Sequence, residues 1–202
     1  MRAPGAAFSR HADDQEARYG DRVPRTGTES TRLVILRGNS ASGKSSTAAA
    51  IRARHGRRDL AIVGQDHLRR VVLREHDVPG GANIGLIDMV ARYALDRGFH
   101  TIVEGIFRAD HYAGMLTGLC ADHRGLTLCY YFDVPFNETV RRHAGKPQAV
   151  KYGEAEMRGW YRERDLLPGG VERIIPASSS LEETVRRIVR DAGLARQPPA
   201  SA

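Results

Sequence analysis

Cysteine, lysine and long apolar runs are all scarce in this sequence. The two cysteines, Cys120 and Cys129, are too few for a disulfide framework or a cysteine-rich metal site. No stretch approaches the roughly 18 apolar residues that a membrane span needs, so no membrane association is expected. The first residues include arginines and acids but no apolar segment, which argues against a secretory signal or an organelle transit peptide. Together these absences predict a cytoplasmic protein.

The positive charge of the chain comes almost entirely from arginine. The formal net charge is +7, and lysine occurs only at Lys44, Lys146 and Lys151. A basic balance is typical of proteins that bind nucleic acid, but the sequence has no basic stripe with interleaved aromatic residues. The sequence therefore argues against a nucleic-acid partner. Apolar residues at 41% and charged residues at 27% are ordinary for a globular domain.

The chain divides into a central domain and two tails. Residues 1–30 lack hydrophobic periodicity and are rich in Arg, Gly, Pro and Asp, which predicts a disordered tail. Residues 193–202, which include Pro198 and Pro199, predict a second disordered tail. Between them, residues 31–192 alternate apolar runs with helical patterns. This alternation indicates an α/β domain with a parallel sheet that is covered on both faces.

Five strands and six helices are expected in the central domain. The predicted strands are residues 32–37, 59–64, 100–103, 126–132 and 173–176. The predicted helices follow residue 45 and cover residues 66–75, 83–98, 110–122, 136–167 and 180–192. Asn83 is expected to cap the third helix, and Ser180 with Glu183 forms a capping box that opens the last one.

Residues 38–45 read GNSASGKS and match the complete phosphate-binding pattern G-x-x-x-x-G-K-[ST]. The glycines let the backbone curl so that N–H groups point at phosphate oxygens, and the helix after the loop adds its positive dipole end. Lys44 is expected to reach the outer phosphates, and the Ser45 hydroxyl is expected to ligate Mg²⁺. The predicted nucleotide-binding residues are Gly38, Asn39, Ser40, Ala41, Ser42, Gly43, Lys44, Ser45 and Ser46.

Polar residues just past the predicted strands are the candidates for chemistry, because ligands of parallel sheets bind outside the carboxyl ends of the strands. Asp66 is expected to be the base that deprotonates an acceptor hydroxyl, with a helix cap as the alternative. Arg69, one helical turn later, is expected to hold the substrate. Glu104 is expected to hold Mg²⁺ with Ser45, or alternatively to bind substrate or act as the base. Arg108 is expected to grip substrate or phosphate.

A cationic stretch follows the fourth predicted strand. It begins with Arg141 and Arg142 and includes Gly145, Pro147 and Gly153. A mobile helical lid at about residues 141–167 that closes over the triphosphate would exclude water and offset the charge that develops during transfer. A charged face exposed to solvent is the alternative interpretation.

Four elements of the sequence resemble a known family. They are the GNSASGKS loop, Asp66-x-x-Arg69, Glu104-Gly105, and YFDVP at residues 131–135, which leads to Arg141 and Arg142. With them, residues 32–192 resemble the small-molecule P-loop kinases, and most of all the chloramphenicol phosphotransferase-like and zeta-toxin-like group. The resemblance implies a P-loop NTPase three-layer sandwich with a helical lid and strand order 2-3-1-4-5. It also implies a catalytic base after the second strand and a phosphate-contacting lid arginine at Arg141 or Arg142.

The resemblance implies an ATP- and Mg²⁺-dependent kinase that phosphorylates a hydroxyl of a small molecule. The acceptor would be an antibiotic, a sugar or a nucleotide sugar, and the predicted catalytic residues are Lys44, Asp66, Arg141 and Arg142. The alternatives are a 5′-hydroxyl polynucleotide kinase, a zeta-type toxin kinase, and an ATPase without an acceptor. The sequence contains no Asn-Lys-x-Asp motif, which argues against a GTPase.

Overall fold

The structure, a computed structural model, describes residues 25–145 and 152–195. Its centre is a five-stranded sheet in the order β2-β3-β1-β4-β5, in which every neighbouring pair is parallel. The strands are β1 (Arg32–Gly38), β2 (Leu60–Gly64), β3 (His100–Glu104), β4 (Leu126–Asp133) and β5 (Glu172–Pro176). The predicted α/β fold and its strand order are therefore confirmed.

Six α-helices accompany the sheet in the described residues. They are α1 (Lys44–His55), α2 (Ala82–Asp96), α3 (Ala109–Asp122), α4 (Phe136–Ala144), α5 (Glu154–Trp160) and α6 (Leu181–Asp191). A wide π-type helical segment, His67–Leu73, follows β2, and a 3-10 turn, Pro168–Gly170, precedes β5. None of the helices in the described part of the chain is long and apolar enough to cross a membrane.

The sheet lies between two helical layers because successive side chains of a strand point to opposite faces. In β1, Val34 and Leu36 pack in one apolar cluster with α1 and α6, while Leu33 and Ile35 pack in another with α2 and α3. A continuous apolar run is what a strand buried on both faces requires. The short apolar runs of the sequence therefore became central strands of a three-layer sandwich.

The single helix predicted at residues 136–167 is wrong. The chain forms α4 and α5 instead, and residues 146–151 lie outside the described residues. Gly145 follows α4, and Gly153 precedes α5 in an extended conformation, with the Glu156 carboxylate accepting a hydrogen bond from the Gly153 N–H at 2.9 Å. Glycines lose more conformational entropy in a helix than other residues, which favours helix ends at Gly145 and Gly153.

The predicted cap of α2 at Asn83 is also wrong, because a remote carboxylate caps this helix. Glu75 accepts hydrogen bonds from the backbone N–H groups of Ala82 and Asn83 at 2.8 Å each, and from the Asn83 side chain at 2.9 Å. These bonds, first of all the one from the Asn83 side chain, lower the pKa of Glu75. Asn83 itself lies inside α2 and is buried.

Both ends of the described chain pack onto the domain. The Thr26 hydroxyl donates a hydrogen bond of 2.7 Å to Asp96, and Thr26 pairs with His123 in a short parallel bridge. Leu194 is buried in the apolar cluster beside α1 and α6. Of the two predicted tails, residues 1–24 and 196–202 lie outside the described residues.

A fully buried arginine, Arg37 of β1, fixes the layers beneath the phosphate-binding motif. Its guanidinium contacts both oxygens of Glu172 at 2.9 Å and Asp165 at 3.2 Å. It also donates to the backbone carbonyl of Phe107 at 2.9 and 2.6 Å. This network joins β1 to β5 and to the segment after β3. It therefore fixes the position of these segments relative to the phosphate-binding motif that follows β1.

Replacing Arg37 with methionine is expected to destabilise the fold by about 3–5 kcal/mol, because two carboxylates lose their buried partner. The free energy of unfolding in urea measures this loss. The matched control is Arg186→Met, which removes an exposed pair with Glu182 on α6 and is expected to change stability by less than about 1 kcal/mol. Equal effects of the two substitutions would contradict a structural role for the buried network.

Candidate active site

The phosphate-binding motif forms a curled loop between β1 and α1. Three of its residues, Gly38, Ala41 and Gly43, have φ angles of 140°, 58° and 110°. A Cβ atom at Gly38 would lie 2.7 Å from the backbone oxygen of Phe132, so a side chain does not fit there. This backbone shape turns N–H groups toward the inside of the loop, where a polyphosphate can accept their hydrogen bonds.

Lys44 lies inside the loop and is almost completely buried. Its ammonium donates hydrogen bonds to the Asn39 carbonyl at 2.7 Å and to the Ser42 hydroxyl at 3.1 Å. A cation held in this way is aimed at the space that the loop encloses. The position of Lys44 therefore suits an electrostatic contact with bound phosphate.

Ser45 and Glu104 meet across the ends of β1 and β3. The Ser45 hydroxyl donates a hydrogen bond of 3.0 Å to the Glu104 carboxylate. Burial raises the pKa of Glu104, while the charge of Lys44 and the bond from Ser45 oppose this effect. One hydroxyl and one carboxylate beside a phosphate-binding loop are the oxygen donors that Mg²⁺ takes when phosphates and waters complete its shell. The two residues therefore fit a bound magnesium ion.

A close approach of two loops explains the glycine after Glu104. A Cβ atom at Gly105 would lie 2.6 Å from the side-chain oxygen of Gln65, which follows β2. That oxygen accepts hydrogen bonds from the N–H groups of Ile106 at 2.9 Å and Phe107 at 3.3 Å. The ends of β2 and β3 are thus tied together, which brings Asp66 and Glu104 to the same edge of the sheet.

Asp66 lies between the candidate magnesium ligands and a group of arginines. Its charge contributes to the raised pKa of Glu104. One of its oxygens lies 3.4 Å from the Arg69 guanidinium and 3.2 Å from that of Arg70. The Asp66 side chain is 67% exposed, so it is accessible to a ligand in front of the sheet. The predicted pair of Asp66 and Arg69 is indeed adjacent.

The structure places the two candidate lid arginines differently. Arg142 donates hydrogen bonds to the Ser42 carbonyl of the loop at 3.2 Å and to the Ala177 carbonyl at 2.9 Å. Arg141 is 76% exposed and pairs with Glu138, which also holds Arg142 at 2.7 Å. These two arginines lower the pKa of Glu138 to about 2, so it stays charged and orients both. Of the two, Arg142 is the one that contacts the phosphate-binding loop.

One cavity borders the loop, and a second is linked to it through Tyr152, whose hydroxyl lies 3.4 Å from that of Ser40. The first, of about 450 Å³, lies between the loop, α4 and the residues after β5, and includes Ala41, Ser42, Gly43, Arg142 and Ala177. The second, of about 700 Å³, lies between the segment after β2 and α5. It is lined by Arg69, Arg70, Arg74, Glu75, His76, Asp77, Ile106, Arg108, Tyr152, Glu156 and Trp160.

The second cavity contains residues that sequence patterns did not indicate. Arg69 and Arg108 were predicted as substrate ligands, and both line it. Arg70 and Arg74 were not singled out, although the sequence LRRVVLRE places three arginines directly after a predicted strand. Trp160 also lines this cavity, although nothing in its neighbourhood in the sequence shows that α5 covers a cavity.

The loop is also tied to the chain that leaves α5. The Asn39 side-chain amide donates to the Arg162 carbonyl at 2.7 Å and accepts from the Arg162 N–H at 2.9 Å. The hydroxyls of Ser40 and Tyr152 lie 3.4 Å apart. The phosphate-binding loop and the wall of the second cavity therefore share contacts that the sequence motif alone does not indicate.

Comparisons with known proteins identify the fold. No protein-family model matches the sequence, and no curated protein matches it. The APS kinase CysC of Mycobacterium tuberculosis, solved with AMPPNP and APS, is similar at a TM-score of 0.62 and 19% identity, covering 83% of this chain and 98% of its own. The tunicamycin resistance protein of Deinococcus radiodurans is similar at 0.57 and 16%, covering 84% and 99%. A gluconokinase of Sinorhizobium meliloti is similar at 0.52 and 15%, covering 86% and 96%.

These likenesses show that the chain has the fold of the P-loop small-molecule kinases. The fold by itself does not settle a function, because function resides in the site that a fold carries. A function for this chain therefore has to come from the residues that meet at the phosphate-binding loop and from the two cavities.

Proposed function

We propose that the protein is a kinase that uses ATP and Mg²⁺ to phosphorylate a hydroxyl of a small molecule. The observation that carries the proposal is the convergence of Lys44, Ser45 and Glu104 at a loop that borders one cavity, together with a second, separate cavity lined by Arg69 and Arg108. One cavity suits the nucleoside and the other suits the acceptor. A phosphoryl transferase needs both ligands on opposite sides of the transferred group.

Each residue of the site has its own part in the transfer. The loop amides and Lys44 hold the phosphates, and Ser45 and Glu104 would ligate Mg²⁺, which neutralises phosphate charge when it is bound. Asp66 accepts the proton of the acceptor hydroxyl, whose oxygen forms the new bond to phosphorus as the bond to the ADP oxygen breaks. Arg142 supplies positive charge at the nucleotide side.

Asp66, Arg69, Glu104 and Gly105 further support a place in the chloramphenicol phosphotransferase-like and zeta-toxin-like group. These motif positions have a physical role in the fold, since Asp66 and Arg69 lie within 3.4 Å and Gly105 allows the β2 and β3 loops to approach. In the proposal, antibiotics and nucleotide sugars remain among the acceptors to be tested.

A transfer assay tests the proposal. Labelled ATP with Mg²⁺ is offered with sugars, sugar phosphates, nucleosides, aminoglycosides, phenicol antibiotics and oligonucleotides, and labelled product is measured. We expect transfer to one small-molecule class. ATP consumption that no acceptor alters would instead indicate an ATPase. Transfer only to oligonucleotide 5′ ends, with a steep salt dependence of binding, would indicate a polynucleotide kinase.

Glu104 is expected to set the acidic limb of magnesium-dependent nucleotide binding. Burial raises its pKa above the ordinary 4.5, so it takes up a proton at a pH at which an exposed glutamate is still charged. As the pH falls through that raised pKa, the affinity for ATP with Mg²⁺ should fall. Calorimetry at a series of pH values measures this affinity, and Glu104→Gln should remove its loss at low pH. If the affinity of this variant still falls at low pH, the proton is taken up by another group.

A further inference from the structure

We propose that the acceptor carries, besides the hydroxyl that is phosphorylated, an oxyanion attached to a planar ring, as in a phosphate or sulfate ester, and that it binds in the cavity of about 700 Å³. Arg69 and Arg74 hold the oxyanion, and Trp160 contacts the ring. This inference rests on the proposed function, since it names the class of molecule that the kinase phosphorylates.

The first support is a buried arginine whose hydrogen bonds are incomplete. Arg69 is 9% exposed, and its guanidinium donates to the Glu75 carbonyl at 3.1 Å and approaches Asp66 at 3.4 Å. Its Nε atom is buried and has no partner among the described residues. Arg69 lines the cavity, so an oxyanion there can add a charge-assisted bond to a guanidinium whose hydrogen bonds are incomplete.

The second support is an arginine of the cavity wall without a carboxylate partner among the described residues, whereas Arg69 and Arg70 lie beside Asp66 and Arg108 pairs with Asp110. Arg74 has a φ of 54°, and its guanidinium forms no hydrogen bond or ion pair with the residues that the structure describes. Its left-handed backbone is that of a residue ending a helix, here the π-type helix His67–Leu73. Arg74 lines the cavity, so its guanidinium is available to a ligand there.

The acids of the cavity are already occupied. Glu75 caps α2, and Glu156 accepts a bond of 2.9 Å from the Gly153 N–H. Asp77 accepts a bond of 2.6 Å from the buried hydroxyl of Tyr112. These carboxylates keep their charge but are held by groups of the cavity walls, and none of them pairs with Arg74. The wall at Arg74 is therefore positive and suits an anionic group of a ligand.

The opposite wall of the cavity is aromatic. Trp160 is 36% exposed, and its ring lies 5.0 Å from the ring of Tyr152. Tyr152 is in turn stacked on His143 at 4.4 Å, which fixes its plane. The Arg70 guanidinium lies 6.0 Å from the centre of the Trp160 ring. A planar ring placed against the exposed part of Trp160 gains contact with this aromatic wall, while the oxyanion that it carries reaches the arginines.

The cavity is separate from the nucleotide side. None of the residues that line it also lines the cavity of about 450 Å³ beside Arg142. Nucleotide and acceptor can therefore occupy the protein together, as transfer requires. The separation also gives the test its control, because a probe in the acceptor cavity should not compete with ADP.

The single tryptophan of the chain reports on the cavity directly. The full chain is saturated with ADP and Mg²⁺, and Trp160 fluorescence is titrated with phenyl phosphate, inorganic phosphate or phenol. We expect saturable quenching by phenyl phosphate, weaker binding of inorganic phosphate by about tenfold or more, and no saturable change with phenol. Phenol that binds as tightly as phenyl phosphate would overturn the proposal.

An exposed arginine offers a variant that should fold normally. Arg74→Ala is expected to raise the Kd of phenyl phosphate about tenfold while leaving ADP affinity unchanged. The matched control is Arg58→Ala, an exposed arginine before β2 at the opposite end of the strands, which removes the same charge and should leave both affinities unchanged. Equal losses in the two variants would show nonspecific charge attraction and overturn the proposal.

Two outcomes separate this inference from the proposed function. If ADP with Mg²⁺ displaces phenyl phosphate, the probe lies in the nucleotide cavity and the inference fails, whatever the transfer assay shows. If phenyl phosphate binds as expected but no phosphoryl group is ever transferred from ATP, the cavity still binds ring-borne oxyanions and the proposed kinase function fails.

Discussion

An Asp66→Asn variant should retain nucleotide binding and lose turnover, with kcat lower by about 10²–10⁴-fold. Asparagine keeps the shape of the side chain but cannot accept the proton of the acceptor hydroxyl. The phosphate-binding loop is made of other residues, so the affinity for ATP with Mg²⁺ should hardly change. Steady-state kinetics with the acceptor found in the transfer assay, and calorimetry with ATP, measure the two effects.

The control for this experiment is Glu182→Gln, which alters an exposed acid on α6 whose side chain is 77% accessible. It should leave kcat unchanged. If Asp66→Asn also keeps kcat within about threefold, Asp66 is not the base. Glu104, the other acid at this edge of the sheet, would then be the candidate, and its bond to Ser45 would need a second explanation.

The second large effect is expected at Lys44, where alanine should strongly weaken both nucleotide binding and transfer. Lys44 is a buried cation inside the loop, 2.7 Å from the Asn39 carbonyl, and no other lysine lies among the described residues. Removing one such electrostatic contact lowers kcat by about 10²–10³-fold in comparable sites, and the Kd for ATP should rise at least about tenfold. Calorimetry and the transfer assay measure both.

Arg58→Ala serves again as the control, since it removes one positive charge far from the loop. Thermal unfolding of both variants shows whether they are folded. An ATP affinity for Lys44→Ala within about twofold of the unaltered protein would remove the loop from nucleotide binding. The proposed function would then lose its foundation, because the acceptor cavity alone cannot transfer a phosphoryl group.

Local patterns in the sequence were sufficient for the sheet and the loop. The apolar run of residues 33–36 predicts a buried strand, and β1 is buried on both faces. The conformation of the GNSASGKS loop could also be predicted, because its glycines and Lys44 lie within a few residues of one another. The capping box of Ser180 and Glu183 is local too, and the structure shows it at the start of α6.

Contacts between distant segments could not be predicted in this way. Glu75 caps α2 from seven residues away, so the pattern around Asn83 suggested the wrong cap. The charged stretch after β4 predicts one helix, yet the structure has one helix that ends before Gly145 and another that begins after Gly153. Trp160 lines the cavity of about 700 Å³ because α5 lies opposite Arg70. The periodicity of a sequence contains no information about a contact between two residues as distant in the chain as Arg70 and Trp160.

Asn39 connects the phosphate-binding loop to the chain that follows α5. Its side-chain amide holds the backbone of Arg162 through two hydrogen bonds, while its own backbone carbonyl anchors the Lys44 ammonium. If α5 swings outward to admit a bulky molecule, Arg162 must either release Asn39 or pull it along. Entry of the acceptor would then loosen the grip on the triphosphate, so the order in which the two ligands arrive should affect how tightly each is held.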